Sequence, residues 1–155
     1  MKGFVYPKNQ RIMILKFAAD AALGRLSKWL RIMGYDCIYP AVVKEQNFDD
    51  ERMFLTRSTD VKGTGIVFIG CNDIKDQIEF LIRLLPIMEN IQPFSRCVVC
   101  NTALKGIKKK EVLGDVPDHI YRTHDDFKFC SNCRKVFWPG THKERMKKQI
   151  AAFLK

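Results

Sequence analysis

The sequence predicts an α/β domain built on a mostly parallel sheet, followed by a zinc ribbon with a carboxy-terminal helix. Three observations carry that prediction. Short apolar runs alternate with helix-patterned segments over residues 1–92. Two Cys-x-x-Cys pairs, Cys97/Cys100 and Cys130/Cys133, stand in the last third. The charge also changes between these parts: residues 1–92 hold 13 basic against 11 acidic side chains, whereas residues 93–155 hold 14 against 6. With 155 residues, 46% of them hydrophobic, the chain is long enough to bury a core in one large domain or two small ones.

Residues 1–11 read as a flexible lead-in. The apolar run Ile12 to Ala19 has strand length and ends at Asp20. Leu23, Leu26, Leu30 and Met33 then recur on one face of a helix, with Arg25, Lys28 and Arg31 pointing elsewhere. Gly34 stands where glycine ends helices. Cys37-Ile38-Tyr39 is a second strand closed by Pro40. Residues 41–52 are polar and acidic and show no pattern, and Met53 to Thr56 and Gly65 to Gly70 are two more strand-length runs. Ile74, Ile78, Leu81, Ile82 and Leu85 mark a second helix, with Asp73 placed to cap it.

Strand, helix, strand, strand, strand, helix is the order of a mostly parallel sheet with helices packed on its faces. Sites in such sheets lie outside the carboxyl ends of the strands. Asp20 and the segment Thr56 to Asp60 are at such ends. The reading thus divides the chain into residues 12–92, the sheet domain, and 93–155, the ribbon and its helix, with Pro86 and Pro93 bracketing a linker.

Zinc takes four ligands in a tetrahedron, and each Cys-x-x-Cys turn brings two sulfurs to one ion. Two turns close the shell, so the predicted Zn2+ is structural. A 29-residue spacer separates the pairs and carries Lys108-Lys109-Lys110 and the turn residues Gly114 and Pro117. Phe127 and Phe129 lead into the second pair, and Val136-Phe137-Trp138 leaves it. The competing reading, two redox pairs, lacks the strand-to-helix setting of a thioredoxin-like site. His119, His124 and His142 are spare, and Cys37 and Cys71 read as core residues. A basic amphipathic helix over 142–154 turns Met146, Ile150, Phe153 and Leu154 inward.

The net charge of +10 lies mostly in the second half, which suits a phosphate backbone; the plain alternative is a solubilising surface. No run of 18 apolar residues exists, and the opening residues lack an apolar signal core, so the expected location is the cytosol. Asp20 admits two readings: a carboxylate holding a divalent ion beside a phosphodiester, or a helix cap. Arg25 and Arg57 read as phosphate contacts or as salt-bridge partners of Asp20 and Asp60. Trp29 reads as core, and Trp138 as an aromatic packed beside the zinc site.

The segment from Phe17 to Asp36, with the pattern D-x-x-L-G-R-L-x-x-W-L-R-x-x-G-Y-D from Asp20 onward, resembles the opening of the Mut-seven C-terminal RNase family. Phe54-Leu55-Thr56-Arg57, Ser95 to Asn101, Phe129 to Cys133 and Val136 to His142 resemble its further blocks. The resemblance implies a PIN-like three-layer nuclease domain joined to a zinc ribbon. It implies a metal-dependent ribonuclease with Mg2+ or Mn2+ held by acidic residues at the strand ends. Asp20 matches the first acidic position, Asp60 and Asp73 are the further catalytic candidates, and RNA is the implied partner. Ser58 stands where that family places an Asp, with Asp60 two residues on. Candidates for a middle acidic position are Glu45, Asp49, Asp50 and Glu51. Arg25, Arg57, Lys108, Lys109 and Lys110 are the expected RNA contacts. Ser58 favours a second reading, in which the same fold grips RNA without cutting it. A third, regulation through protein contacts, has no feature of its own in the sequence.

Overall fold

The computed structural model describes residues 15–41 and 52–153. The predicted lead-in, the start of the first strand, the acidic candidates Glu45, Asp49, Asp50 and Glu51, and Leu154 lie outside the described residues. The first half runs β1 (Lys16–Ala19), a 3-10 turn (Ala21–Leu23), α1 (Gly24–Ile32), β2 (Asp36–Ile38), β3 (Arg52–Thr56), β4 (Ile66–Phe68) and α2 (Ile74–Leu84). The four strands are all parallel, in the order β2-β1-β3-β4. This is the predicted α/β class and element order.

Alternation along the strands sorts their side chains between two faces. Phe17, Ala19, Leu55 and Val67 join the main core, together with Leu23, Leu26 and Leu30 from α1 and Ile78 and Leu81 from α2. Each fully buried leucine there contributes about 1.5–3 kcal/mol. Ala18 and Phe54 point to the other face, where among the described residues a smaller cluster with Ala41, Val61 and Ile66 covers them. Gly34 ends α1 as predicted, with φ +99°. A Cβ there would also sit 2.4 Å from the Gln92 carbonyl oxygen, so the linker can pass only over a glycine.

The second half contains β5 (Lys105–Ile107), α3 (Asp118–Thr123), β6 (Phe127–Phe129), β7 (Val136–Phe137) and α4 (Thr141–Phe153). β5, β6 and β7 form an antiparallel sheet. α3 escaped the sequence reading because its six residues are too few to show a helical repeat and none is fully buried, although Ile120 and Tyr121 pack partly buried against the ribbon core. Ile150 and Phe153 of α4 return to the main core, and the Phe153 ring meets Trp29 edge-on at 5.2 Å. Trp29 is therefore a packing residue, as predicted.

The two sheets are joined by polar groups. Arg31 is 4% exposed, and its guanidinium donates to the Cys37, Val98 and Val99 carbonyls. Asp36 accepts from Arg52 and from Asn101 Nδ2, and Arg96 lies 3.8 Å away. Burial works to raise the Asp36 carboxyl, but those hydrogen bonds and the two arginine charges outweigh it and hold it below the usual carboxylate range. Among the described residues, no helix is long and apolar enough to cross a membrane.

Candidate metal centre and strand-end site

The two cysteine pairs fold into matching turns. Cys97 N–H donates to Thr102 O and Asn101 N–H to Cys97 O; Cys130 N–H donates to Lys135 O and Arg134 N–H to Cys130 O. Each turn thus closes on the backbone four and five residues past its first cysteine. The residue after each second cysteine is left-handed, Asn101 at φ 70° and Arg134 at φ 55°. Asparagine tolerates that region and arginine resists it. We therefore expect Arg134→Asn to raise the melting temperature of the zinc-loaded protein slightly. Arg134→Val should lower stability by about 1 kcal/mol or more. Equal effects of the two substitutions in thermal denaturation would contradict this account.

The four sulfurs lie within 4.8 Å of one another. Cys97 to Cys133 is 3.9 Å and Cys100 to Cys130 is 3.3 Å. A tetrahedron with about 2.3 Å metal–sulfur bonds has edges of roughly 3.8 Å, and a disulfide would need about 2 Å. The electrostatics call for a cation. Burial works to raise the Cys100 thiol, but hydrogen bonds from Thr102, Asn132 and Cys133 overcome it and pull it down to about 5. Its hydrogen bond with Cys133 in turn holds Cys133 up at about 12, and burial raises Cys97. Four thiolates cannot form together until an ion offsets their repulsion. The donor set and spacing fit zinc, which would organise this turn pair without an open coordination position.

At the other end, Asp20 lies where β1 leaves the sheet. Its Oδ1 accepts from Ala22 N–H at 3.0 Å. Its Oδ2 accepts from the Thr56 hydroxyl and from Arg57 N–H, both at 2.7 Å. Asp20 is thus the predicted cap and also a clamp on the end of β3. Ala41 N–H, donating to Ala19 O, brings the end of the β2 loop beside it. Thr56 also accepts from Ser58 N–H, and the Ser58 hydroxyl accepts from Asp60 N–H, so a chain of turns carries Asp60 onto the exposed rim. Asp73 caps α2 as predicted, accepting from Lys75 N–H at 2.8 Å. Among the described residues, the four cysteines are the one cluster of acidic, His or Cys ligand atoms close enough to share an ion. Asp20, Asp60 and Asp73 are not brought together in that way. An oxygen-ligated Mg2+ or Mn2+ has no complete cage in the described residues, and no chemical step is assigned to one.

The predicted cations part company. Arg57 makes no salt bridge with Asp20 or Asp60. Its guanidinium donates to Cys71 O and Asn72 Oδ1, tying the loop before α2 to the end of β3. Arg25 is exposed on the first turn of α1. Lys109 pairs with Asp125 at 2.8 Å and lies over the Tyr121 ring, while Lys108 and Lys110 are exposed. Trp138, expected beside the zinc site, packs against the ribbon core of Val112, Val116 and Phe127. Cys37 is buried, as read, and Cys71 is half-buried.

Sequence reasoning missed the seam between sheet and ribbon. The motif residues Arg31 and Asp36 serve there with Arg96 and Asn101. Asn101 donates to Asp36 through Nδ2 and accepts Cys37 N–H on Oδ1. The one local sign was an asparagine directly after a Cys-x-x-Cys pair, where a left-handed residue is required.

A parallel sheet with an acidic group at a strand end, fused to a ribbon whose four cysteines are close enough to share one ion, makes this an α/β protein with a four-cysteine module. The family model described as the Mut7-C RNAse domain matches residues 15–150, and the chain belongs to that family. No curated protein and no solved structure matches it.

Proposed function

We propose that this protein is a ribonuclease that binds RNA along its basic second half and cuts it beside Asp20, with a divalent ion as cofactor. One observation carries the reading. The order β2-β1-β3-β4 reverses direction between β1 and β3, and Asp20 bridges the carboxyl ends of those two strands. In open parallel sheets that crevice is where ligands bind. Arg25 supports it: the neighbouring motif leucines are buried in the core, whereas Arg25 is exposed at the same end of α1. Its role there is phosphate contact, and the exposed Lys108 and Lys110 extend the electrostatic grip.

The test is cleavage of a labelled single-stranded RNA with and without Mn2+. Asp20→Asn should lower the rate about a hundredfold or more. The amide offers one acceptor oxygen in place of two, leaving a donor from Thr56, Arg57 or Ala22 unmatched at about 1–3 kcal/mol. Urea denaturation of the variant therefore accompanies the assay, because a protein still mostly folded cannot lose a hundredfold through unfolding. Undiminished cutting by folded Asp20→Asn would reject Asp20 as the centre. A second reading rests on the dispersal of the carboxylates, with Asp60 on the rim and Asp73 spent as a cap: the fold holds RNA without cutting it. Salt-dependent binding by both proteins, with no cleavage by either, selects that reading.

A further inference from the structure

A cavity of about 300 Å3 lies between the end of α1, the linker turn, the ribbon and the start of α4. Its size is at the lower end of the range for small-molecule sites, about 300–1,000 Å3. Phe94, Phe137 and Trp138 are among its walls, with Lys128 and Lys143 on its lining. It belongs neither to the cysteine cluster nor to the strand ends.

Phe94 is held there against its own backbone preference. It follows Pro93 in a turn closed by Ser95 N–H donating to Gln92 O, and its φ is +61°. That is the third position of a type II turn, where glycine is the usual residue. A bulky side chain there is strained and persists only when its surroundings enforce it. They do: Phe94 N–H donates to Ile32 O, Lys128 Nζ donates to Phe94 O at 2.9 Å, and Lys143 Nζ sits 5.2 Å from the ring centroid. Lys128 uses one of its three donors in that bond, leaving two to offer. Arg96 also lines the cavity, but its guanidinium is committed to Gly34 O and Asn101 O. Asp126 is the one acidic residue on the lining.

Aromatic walls beside two lysines fit a planar ring carrying a phosphate. We infer that this cavity takes one unstacked nucleotide of a single-stranded RNA, its base among Phe94, Phe137 and Trp138 and its phosphate toward Lys128 and Lys143. Stacking of this kind is tolerant of base identity, so the site anchors a strand rather than reading its sequence. The inference rests on the RNA reading above and concerns binding alone.

The test uses the full zinc-loaded chain and a fluorescein-labelled seven-nucleotide single-stranded RNA, read by anisotropy. The same oligomer with one abasic position at each site in turn, and uridine monophosphate as competitor, complete the set. Phe94→Gly suits the backbone and removes the ring; it should weaken binding about tenfold or more with an unchanged salt slope. Lys143→Gln should weaken binding and reduce that slope by about one. Because Phe94→Gly also loses packing, Gly140→Trp is the second variant. Gly140 is on the cavity lining and a Cβ there meets nothing within 4 Å, so a tryptophan fits without disturbing the fold, and an indole at the cavity edge should obstruct the RNA. An abasic position that weakens wild type about tenfold, and leaves Phe94→Gly unchanged, supports the proposal. Wild-type affinity in both folded cavity variants overturns it and leaves the RNA reading standing. Monophosphate binding as tight as the oligomer overturns the strand assignment, and no RNA binding at all removes both readings together.

Discussion

Stripping zinc with a strong chelator should unfold the ribbon first and slacken α1 and β2 next. The ribbon has little else to hold it. Its own core has three buried residues, Val112, Val116 and Phe127, with partly buried side chains around them. Cores of that size rarely hold a fold by themselves, whereas a structural zinc contributes about 10–16 kcal/mol. The loss then spreads along named bonds. Val98 and Val99 lie between Cys97 and Cys100, and their carbonyls are the ones that Arg31 binds. Asn101 follows the same pair and binds Asp36 and Cys37. When the turn melts, these partners lose their bonds together. Hydrogen exchange followed by mass spectrometry should show protection lost first across residues 97–137, then at the end of α1 and along β2. β3 has strand neighbours on both sides and should keep its protection longest. Unchanged protection across 97–137 after metal removal, verified by elemental analysis, would contradict this order.

Arg31→Met should cost the zinc-loaded protein about 3–5 kcal/mol, more than any surface change in this chain. The guanidinium meets Cys37 O through Nε and Nη2 at 2.9 and 2.8 Å, and Val98 O and Val99 O through Nη1 at 3.0 Å each. Methionine fills much of the volume but donates nothing, so three carbonyls at a buried seam lose a charged donor. Arg31→Lys separates charge from geometry. A lysine keeps the charge as a compact ammonium and cannot reproduce the planar fork that spans both halves, so it should recover less than half of the loss. Urea denaturation gives the magnitude. Faster zinc release to a chromophoric chelator should accompany it, because the first cysteine turn loses its tether. A loss below about 1 kcal/mol would mean that water replaces the arginine at the seam.

Arg31 also shows where reading the sequence stops. Helical periodicity places it away from the face of Leu23, Leu26, Leu30 and Met33, and that placement is correct. The residue is buried all the same, because that side of α1 meets carbonyls 67 and 68 residues further along the chain. Asp20 is a second example. Its position before a helix announced a cap, and it is one. That its other oxygen clamps Thr56 and Arg57 depends on β1 and β3 being neighbours, 36 and 37 residues apart in sequence. The cavity behind Phe94 is a third, assembled from a linker turn, a ribbon and a helix start that share no local pattern.

The sequence by itself determined the α/β class, the strand and helix order of the first half, the helix cap at Asp73 and the four-cysteine set. Each of these follows from spacing within a few residues, and spacing acts through local backbone geometry and ligand number. Only the tertiary structure decided which charged groups are spent and which are free. It turned Arg57 to a loop and Arg31 to a seam, left Arg25 exposed, and gave Asp20 its bonds to Thr56 and Arg57. The physical reason is that a charge is committed by whatever partner the packing brings within hydrogen-bond reach, and no local pattern records that partner.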